Sequence, residues 1–424
     1  MPEDGSASRS PAQNSARTAI ILVGLCALLN LLSRGSGETF TTFLLALTAE
    51  FQANRADVAA IYSLQMLLAG ICAPLAGYCF DRFGPLKLYI GGLLLLIAGL
   101  LLASFAGAVW QMYIFIGIGV GGAAAALGNA PHSALLARWF DGNGLTRSMS
   151  VVYAGLGVGS LLLVPLAQLV IETWGWRNAY RMLAVIALAA MPALLLVSWP
   201  TVQAGRVRLP SPPPKKDGDV VETLVVIEWT IGKAMRNPAF WGLASVFCFT
   251  SAGMFSVLVQ AVAYLVELGY APLKAASIYG LIGVLTPVGI LGFSWLDARI
   301  GRHSSAALSY SFSLLGLGSL WALKAWQSPL LLWSFVLLVG LSFGARGPMV
   351  GATAARIFHG PRFGVIFGTI MVGSGFGIAF GTFSGAILHD ITGGYTAVFL
   401  FSAVCILMGA MPFWTYRSLR AYGP

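Results

Sequence analysis

The run from Arg138-Trp139-Phe140-Asp141-Gly142 to Gly155-Leu156-Gly157-Val158-Gly159 returns 218 residues later, as Arg356-Ile357-Phe358-His359-Gly360 to Gly373-Ser374-Gly375-Phe376-Gly377. Arg138, Phe140, Gly142, Gly155, Gly157 and Gly159 all recur at that one offset, and Gly175 recurs with it as Gly393. A constant spacing over so many positions reads as two copies of one unit. A second echo, with a small gap, pairs Gly77…Asp81-Arg82-Phe83-Gly84 with Gly292…Asp297-Ala298-Arg299-Ile300-Gly301. The glycine runs superficially resemble nucleotide-binding loops, but no strand precedes them and no Lys-Ser/Thr follows. In apolar surroundings they predict close approach of one helix to another, along flat faces that let helices slide.

The surroundings of both copies are apolar. Of 424 residues 58% are hydrophobic and 9% charged, and the mean hydropathy is +0.82. Soluble domains carry roughly 25% charged residues, so a globular water-soluble enzyme is excluded. The apolar residues fall in blocks near 18–47, 58–80, 86–106, 110–136, 147–171 and 178–199, then 240–266, 272–296, 303–325, 328–355, 362–388 and 394–416. Many reach the roughly 20 residues that span a hydrocarbon core. They lack the period-2 alternation of a membrane barrel. The expected fold is an all-α polytopic membrane protein, with twelve transmembrane helices in two pseudo-symmetric six-helix bundles. Two parallel repeats of this kind are the layout of transporters whose substrate sits at the midplane between halves.

Twelve spans put both chain ends on one side, and the basic residues choose the side. Of the 25 Lys and Arg, Arg34 and Arg346 fall inside spans, and Arg55, Arg177, Arg181, Lys274 and Lys324 sit in the loops of one face. The other 18 lie in the opposite loops and the tails, which places both termini in the cytoplasm of a cell (plasma or inner) membrane. The same distribution explains the net charge of +10 without nucleic acid. Residues 1–17 are polar, lack the features of a signal peptide and read as a disordered cytoplasmic tail. The halves, 18–199 and 239–416, are joined by a linker, 200–238, that contains Pro210-Ser211-Pro212-Pro213-Pro214 and Lys215-Lys216. Residues 417–424 form a second tail. The five cysteines lie in apolar blocks with no CxxC spacing, so neither a disulfide framework nor a metal site is expected, and no cofactor is implied.

Gly77-Tyr78-Cys79-Phe80-Asp81-Arg82-Phe83-Gly84-Pro85-Leu86-Lys87 resembles the signature loop between the second and third helices of the major facilitator superfamily. The resemblance extends over essentially the whole chain. Within that superfamily it leans to the monocarboxylate transporter and oxalate–formate antiporter branch, through Phe51 and Arg55, Asp81-Arg82-Phe83-Gly84-Pro85, Arg138-Trp139-Phe140 and Asn237-Pro238-Ala239-Phe240-Trp241. The resemblance implies alternating access, with two bundles rocking about a central cavity. It also implies that Asp81, Arg82 and Arg138 gate the cytoplasmic side; setting topology alone is the rival reading for Arg82 and Arg138. The chain departs from the family at the substrate site. Monocarboxylate transporters typically carry an Asp/Arg pair on helix eight and a Lys on helix one. Here Ala275 to Trp295 holds no charge, and helix one offers Arg34 and Glu38. Helix eleven also lacks the buried cation that the oxalate branch uses.

Charges inside the spans single out a candidate site. Arg346 precedes Arg356 by ten residues, about 15 Å along a helix, and Arg34 lies about 25 Å beyond Arg17. Insertion scales charge roughly 2.5–3.5 kcal/mol for each such group at a helix centre, so both are expected to face a watery cavity or each other. Arg34 and Glu38 share a helix face at i,i+4, in the weaker order for a purely stabilising pair. Arg34 and Arg346 are expected to bind a small organic anion and Glu38 to carry a proton; a solvated Glu38 at the outer rim is the bland alternative. With Glu38 ionised the three groups sum to +1, and with it protonated to +2, so proton and anion would travel together.

Asn129 and His132 flank Pro131; Asn129 is a candidate for substrate binding and His132 a second candidate for proton coupling, each against a packing role. Tyr62, Gln65, Tyr153, Gln260 and Tyr264 are candidate cavity residues, against packing or interfacial placement. A membrane enzyme would need a catalytic constellation, and the four histidines are scattered. The expectation is a proton-coupled symporter of a monocarboxylate-like anion, working in the lipid bilayer with the monomer as functional unit. The alternatives are a carboxylate exchanger and a proton-driven exporter of a lipophilic drug-like compound.

Overall fold

The computed structural model describes residues 11–136, 138–140, 142–195, 197, 199, 229–358 and 363–415. All regular structure among them is helical. In chain order the helices make twelve segments. The first six are Pro11–Glu38 with Phe40–Phe51, Arg55–Ile71 with Ala73–Phe83, Pro85–Ala103, Val109–Leu136 in four pieces, Gly142–Trp174, and Trp176–Ala189 with Met191–Leu195. The second six are Pro238–Leu258 with Ala261–Glu267, Pro272–Ile300, Arg302–Ala322, Pro329–Phe343 with Arg346–Ile357, Phe363–Thr392, and Thr396–Ala410 with Pro412–Thr415.

Among the described residues nine helices are long and apolar enough to cross a membrane, or ten if segment 2, bent by 46°, counts as one span. The two that fall short of the expected twelve are segments 9 and 10. Segment 9 carries Ser304, Ser305, Ser309, Ser311 and Ser313, and segment 10 is broken at Gly344-Ala345 just before Arg346. The serines of segment 9 lower its apolarity, and the break leaves segment 10 with an apolar helix, Pro329–Phe343, too short to count.

Two boundaries differ from the sequence reading. Helix begins at Pro11, so residues 11–17 of the expected tail are helical; Pro suits a first helical turn and Ala12, Gln13, Ala16 and Arg17 continue it. The end of the expected linker also folds: Ile231–Met235 is helical, with the Thr230 hydroxyl accepting from Lys233 N, and Asn237 Oδ1 accepts from Ala239 N at 2.9 Å to start segment 7. Residues 1–10, most of the linker and the tail from 416 lie outside the described residues.

The repeated glycines show what the duplication builds. A Cβ on Gly155 would stand 2.4 Å from Ala27 O, and one on Gly159 2.6 Å from Leu31 O, so this face seats segment 5 on segment 1. In the second half a Cβ on Gly373 would stand 2.8 Å from Ala244 O and one on Gly377 2.1 Å from Cys248 O, so segment 11 sits on segment 7. The middle glycine of each run faces the other half. A Cβ on Gly157 would stand 2.1 Å from Gly283 O of segment 8, and one on Gly375 3.3 Å from Met66 O of segment 2. Segments 5 and 8, and 2 and 11, thus form the two seams between halves. The echo at Gly84 and Gly301 is conformational as well, with φ/ψ of 83°/164° and 80°/161°. Only glycine holds that geometry without strain.

Candidate functional site between the two halves

Segments 1, 7 and 10 are each interrupted, and the residues just before the interruptions, Glu38, Leu258 and Phe343, line one cleft. Ser160 of segment 5 and Tyr279 and Thr286 of segment 8 complete its wall, around a small cavity of about 20 Å³. The break in segment 1 has a local cause. The hydroxyls of Thr39, Thr41 and Thr42 bond back to the carbonyls of Ser36, Glu38 and Thr39 at 2.7, 2.9 and 2.7 Å. Such back-bonding bends helices. Broken helices meeting at the midplane are tolerated where they line a cavity.

Glu38 is buried, at 6% exposure, so it is not a solvated rim carboxylate. Its Oε2 accepts a 2.7 Å hydrogen bond from the Tyr279 hydroxyl, which belongs to the other half. Arg34 lies one turn toward the chain ends on the same helix face and is half-buried. Among the described residues its one hydrogen-bonding contact is Met66 Sδ, at 3.7 Å. The guanidinium lies within electrostatic reach of Glu38, Tyr62, Tyr153 and Tyr279 and forms no ion pair with any of them. The site therefore presents a guanidinium with open donors beside a carboxylate held by a phenol.

The structure does not bring Arg346 to this cleft. Its side chain is buried and turned toward segment 9, where Nε donates to Ser309 Oγ at 3.2 Å and Nη2 to Ser309 O at 3.0 Å and to Ser313 Oγ. The guanidinium lies 4.3 Å from the Tyr310 ring centre, and only Nη1 lacks a partner. The sequence depth of Arg346 was legible, but the side of the helix it occupies depends on which neighbour supplies acceptors. Segment 9 does, with its serines.

The remaining candidates separate. Tyr62 is buried between Phe40 and Phe255, with ring centroids at 5.5 and 6.3 Å, and its hydroxyl lies beside Glu38 without closing a hydrogen bond. Gln65 lines a smaller cavity with Ser36, Thr39 and Tyr180. Gln260 sits at the break of segment 7, its Nε2 bonded to Ser256 O at 3.2 Å and its Oε1 unpartnered. Tyr153 is half-buried near Arg34, whereas Tyr264 packs within the second half against Tyr395 and Phe399. His132 is fully buried in the first half, with Nδ1 3.0 Å from the Tyr89 hydroxyl, and it lines neither cavity. Asn129 lines neither cavity as well, and its Oδ1 is unpartnered.

At the face of the chain ends, Asp81 is exposed and has no ion pair among the described residues. Arg82 donates to the Tyr78 hydroxyl at 2.5 Å, and Arg138 rests 4.9 Å from the Phe80 ring centre. All of these contacts stay within the first half. The opposite face is tied across the halves. Arg55 pairs with Glu267 and the Tyr395 hydroxyl, and its Nη1 lies 3.2 Å from His389 Nε2. Asp390 Oδ2 accepts from Ala56 N at 2.8 Å. Burial lifts the Tyr395 phenol well above its usual range, so it remains a neutral O–H that accepts from Arg55 and donates to Glu267.

Sequence reasoning missed Tyr279, an uncharged residue in an apolar span, and the Arg55 cluster. Its signal was charge at span ends: Arg55 was read for topology and the family resemblance, His389 only as one of four scattered histidines, and Glu267 and Asp390 not at all. Among the described residues no three His, Cys, Asp or Glu groups gather as a metal site would require.

Comparison with known proteins agrees with this architecture. A family model described as Major Facilitator Superfamily matches residues 23–358. Monocarboxylate transporter 13 of Bos taurus is 24% identical over 380 residues, covering 88% of this chain and 83% of the relative. Monocarboxylate transporter 12 of Xenopus laevis is 25% identical over 403 residues, covering 92% and 86%. Monocarboxylate transporter 11 of Homo sapiens is 27% identical over 391 residues, covering 89% and 79%. With its duplicated helical halves and the cleft between them, the chain belongs to the major facilitator superfamily and is a multi-pass membrane transporter, not an enzyme.

Proposed function

We propose that the protein carries a small organic anion across the cell membrane together with a proton, by alternating access. The observation that carries this reading is Arg34: a permanently charged guanidinium, half-buried beside Met66 with open donors, one turn from the buried acid that lines the cleft. A planar guanidinium holds a carboxylate bidentately and stays charged when desolvated. With Arg346 turned to segment 9, the pair that governs binding is Arg34 and Glu38. Its net charge is zero with Glu38 ionised and +1 with Glu38 protonated, so an anion binds better to the protonated site. The relatives' name, monocarboxylate transporter, agrees with an anionic substrate.

The opposite face, closed by Arg55 and its partners, and Asp81, without an ion pair among the described residues, favour a conformation open toward the chain ends. The basic loops put that face in the cytoplasm. Asp81, Arg82 and Arg138 then latch the cytoplasmic side in the other conformation. A monomer suffices, since both halves of the cleft come from one chain.

The test is uptake of labelled pyruvate, lactate and other short carboxylates into liposomes holding the purified protein, with an inward proton gradient. Saturable uptake is expected for at least one of them. Arg34→Gln is expected to lose at least tenfold in uptake efficiency, the scale of a charged hydrogen bond of about 1.5–3 kcal/mol. Uptake unchanged in Arg34→Gln would remove the anion role and favour a lipophilic substrate.

A further inference from the structure

We propose that Tyr279 is the positioning residue through which the protonation state of Glu38 reaches the other half of the molecule. The inference rests on the reading of Glu38 as the proton carrier. Glu38 ends the first helix of segment 1, and Tyr279 stands on segment 8, 241 residues away, yet the phenol donates to the carboxylate at 2.7 Å. Both residues are at 6% exposure, so bulk water has little access to the bond.

The groups around Glu38 leave this bond as its one direct tie across the halves. Arg34 shares its helix and Tyr62, from segment 2, belongs to its own half. Segments 5, 7 and 10 present Ser160, Leu258 and Phe343, none of which titrates near neutral pH. Of these five elements only segments 7, 8 and 10 lie in the second half, and only segment 8 offers a donor to the carboxylate.

A hydrogen bond to an ionised acceptor is about twice as strong as one between neutral groups. With Glu38 ionised, the bond therefore clamps segment 1 to segment 8 beside the seam where Gly157 meets Gly283. Protonation adds one proton to the carboxylate, removes its charge and weakens the clamp. Relative motion of the halves at this level must stretch the same bond. Proton occupancy and conformation are thus linked through one phenol. The reverse linkage also holds, because a donor to the charged form keeps the proton off until the halves part.

Two measurements on the full-length protein purified in detergent test this without a substrate. The first follows the carbonyl stretch of protonated Glu38 by infrared titration, assigned as the band absent from Glu38→Gln. In Tyr279→Phe the band is expected to appear at a pH higher by about one unit. The second reads the distance between spin labels at Asn54 and Lys274, exposed positions on the two halves. The wild type is expected to widen as pH falls, while Tyr279→Phe is wide at every pH. Glu38→Asp draws the acid back from the phenol and is expected to behave like Tyr279→Phe while still titrating, which keeps the test open should the Phe variant fold poorly. A Tyr279→Phe or Glu38→Asp protein with the wild-type titration and distance response overturns the inference and leaves the proton role of Glu38 standing. A Glu38→Gln protein that loses no titrating band and keeps the wild-type response overturns both.

Discussion

Arg34 and Arg346 are both guanidiniums inside the bilayer region, and their surroundings give them different work. Arg346 spends Nε and Nη2 on Ser309 and Ser313 and lies over Tyr310, whereas among the described residues Arg34 hydrogen-bonds to a thioether alone. Truncating a buried group with several polar partners leaves those partners to repair themselves, at a cost of about 1–3 kcal/mol. Arg346→Gln is therefore expected to lower the thermal stability of the purified protein by that amount while changing the KM for its anion less than twofold. Scanning fluorimetry beside uptake kinetics checks this, and the opposite split would return Arg346 to the binding site. The i,i+4 pairing of Arg34 with Glu38 was legible because helix geometry alone fixes it. The direction of Arg346 and the role of Tyr279 were not, since each depends on a neighbouring segment that spacing does not identify.

Among the elements, the repeated glycines are the part of the fold most visible in the sequence, because the need for close backbone contact is the same in both halves. The structure divides them by task. Gly377 seats segment 11 on segment 7 within one half, while Gly157 seats segment 5 against segment 8 across the seam. Overpacking such contacts costs about 1–3 kcal/mol. Gly377→Ala is expected to lose that much stability and to melt at lower temperature. Gly157→Ala is expected to melt nearly as the wild type but to transport several-fold more slowly, because the added methyl opposes closure of the halves. Equal effects on melting and transport in both variants would contradict that division. By length and apolarity alone the count among the described residues falls to nine or ten, because serines dilute segment 9 and the break before Arg346 shortens segment 10.

For the whole molecule, the cross-half ion pair among the described residues, Arg55 with Glu267, lies at one face and holds that face shut. Arg55 and Glu267 are partly exposed, so their ion pair is worth under about 1 kcal/mol. Glu267→Gln is accordingly expected to move the balance of conformations by up to about fivefold, seen as a longer population between labels at Asn54 and Lys274. The duplication, the twelve helical segments and the family could be read from the chain, but which face is shut could not. That depends on Glu267, His389, Asp390 and Tyr395, gathered from three segments. Coupling is most directly tested by the proton itself, in weakly buffered liposomes holding the protein and a trapped pH-sensitive dye. Adding a transported carboxylate at equal pH on both sides is expected to acidify the interior, and Glu38→Gln is expected to abolish the acidification while counterflow of labelled anion continues. Anion uptake by the wild-type protein with no proton movement, or acidification that survives in Glu38→Gln, would contradict transport of proton and anion together at this site.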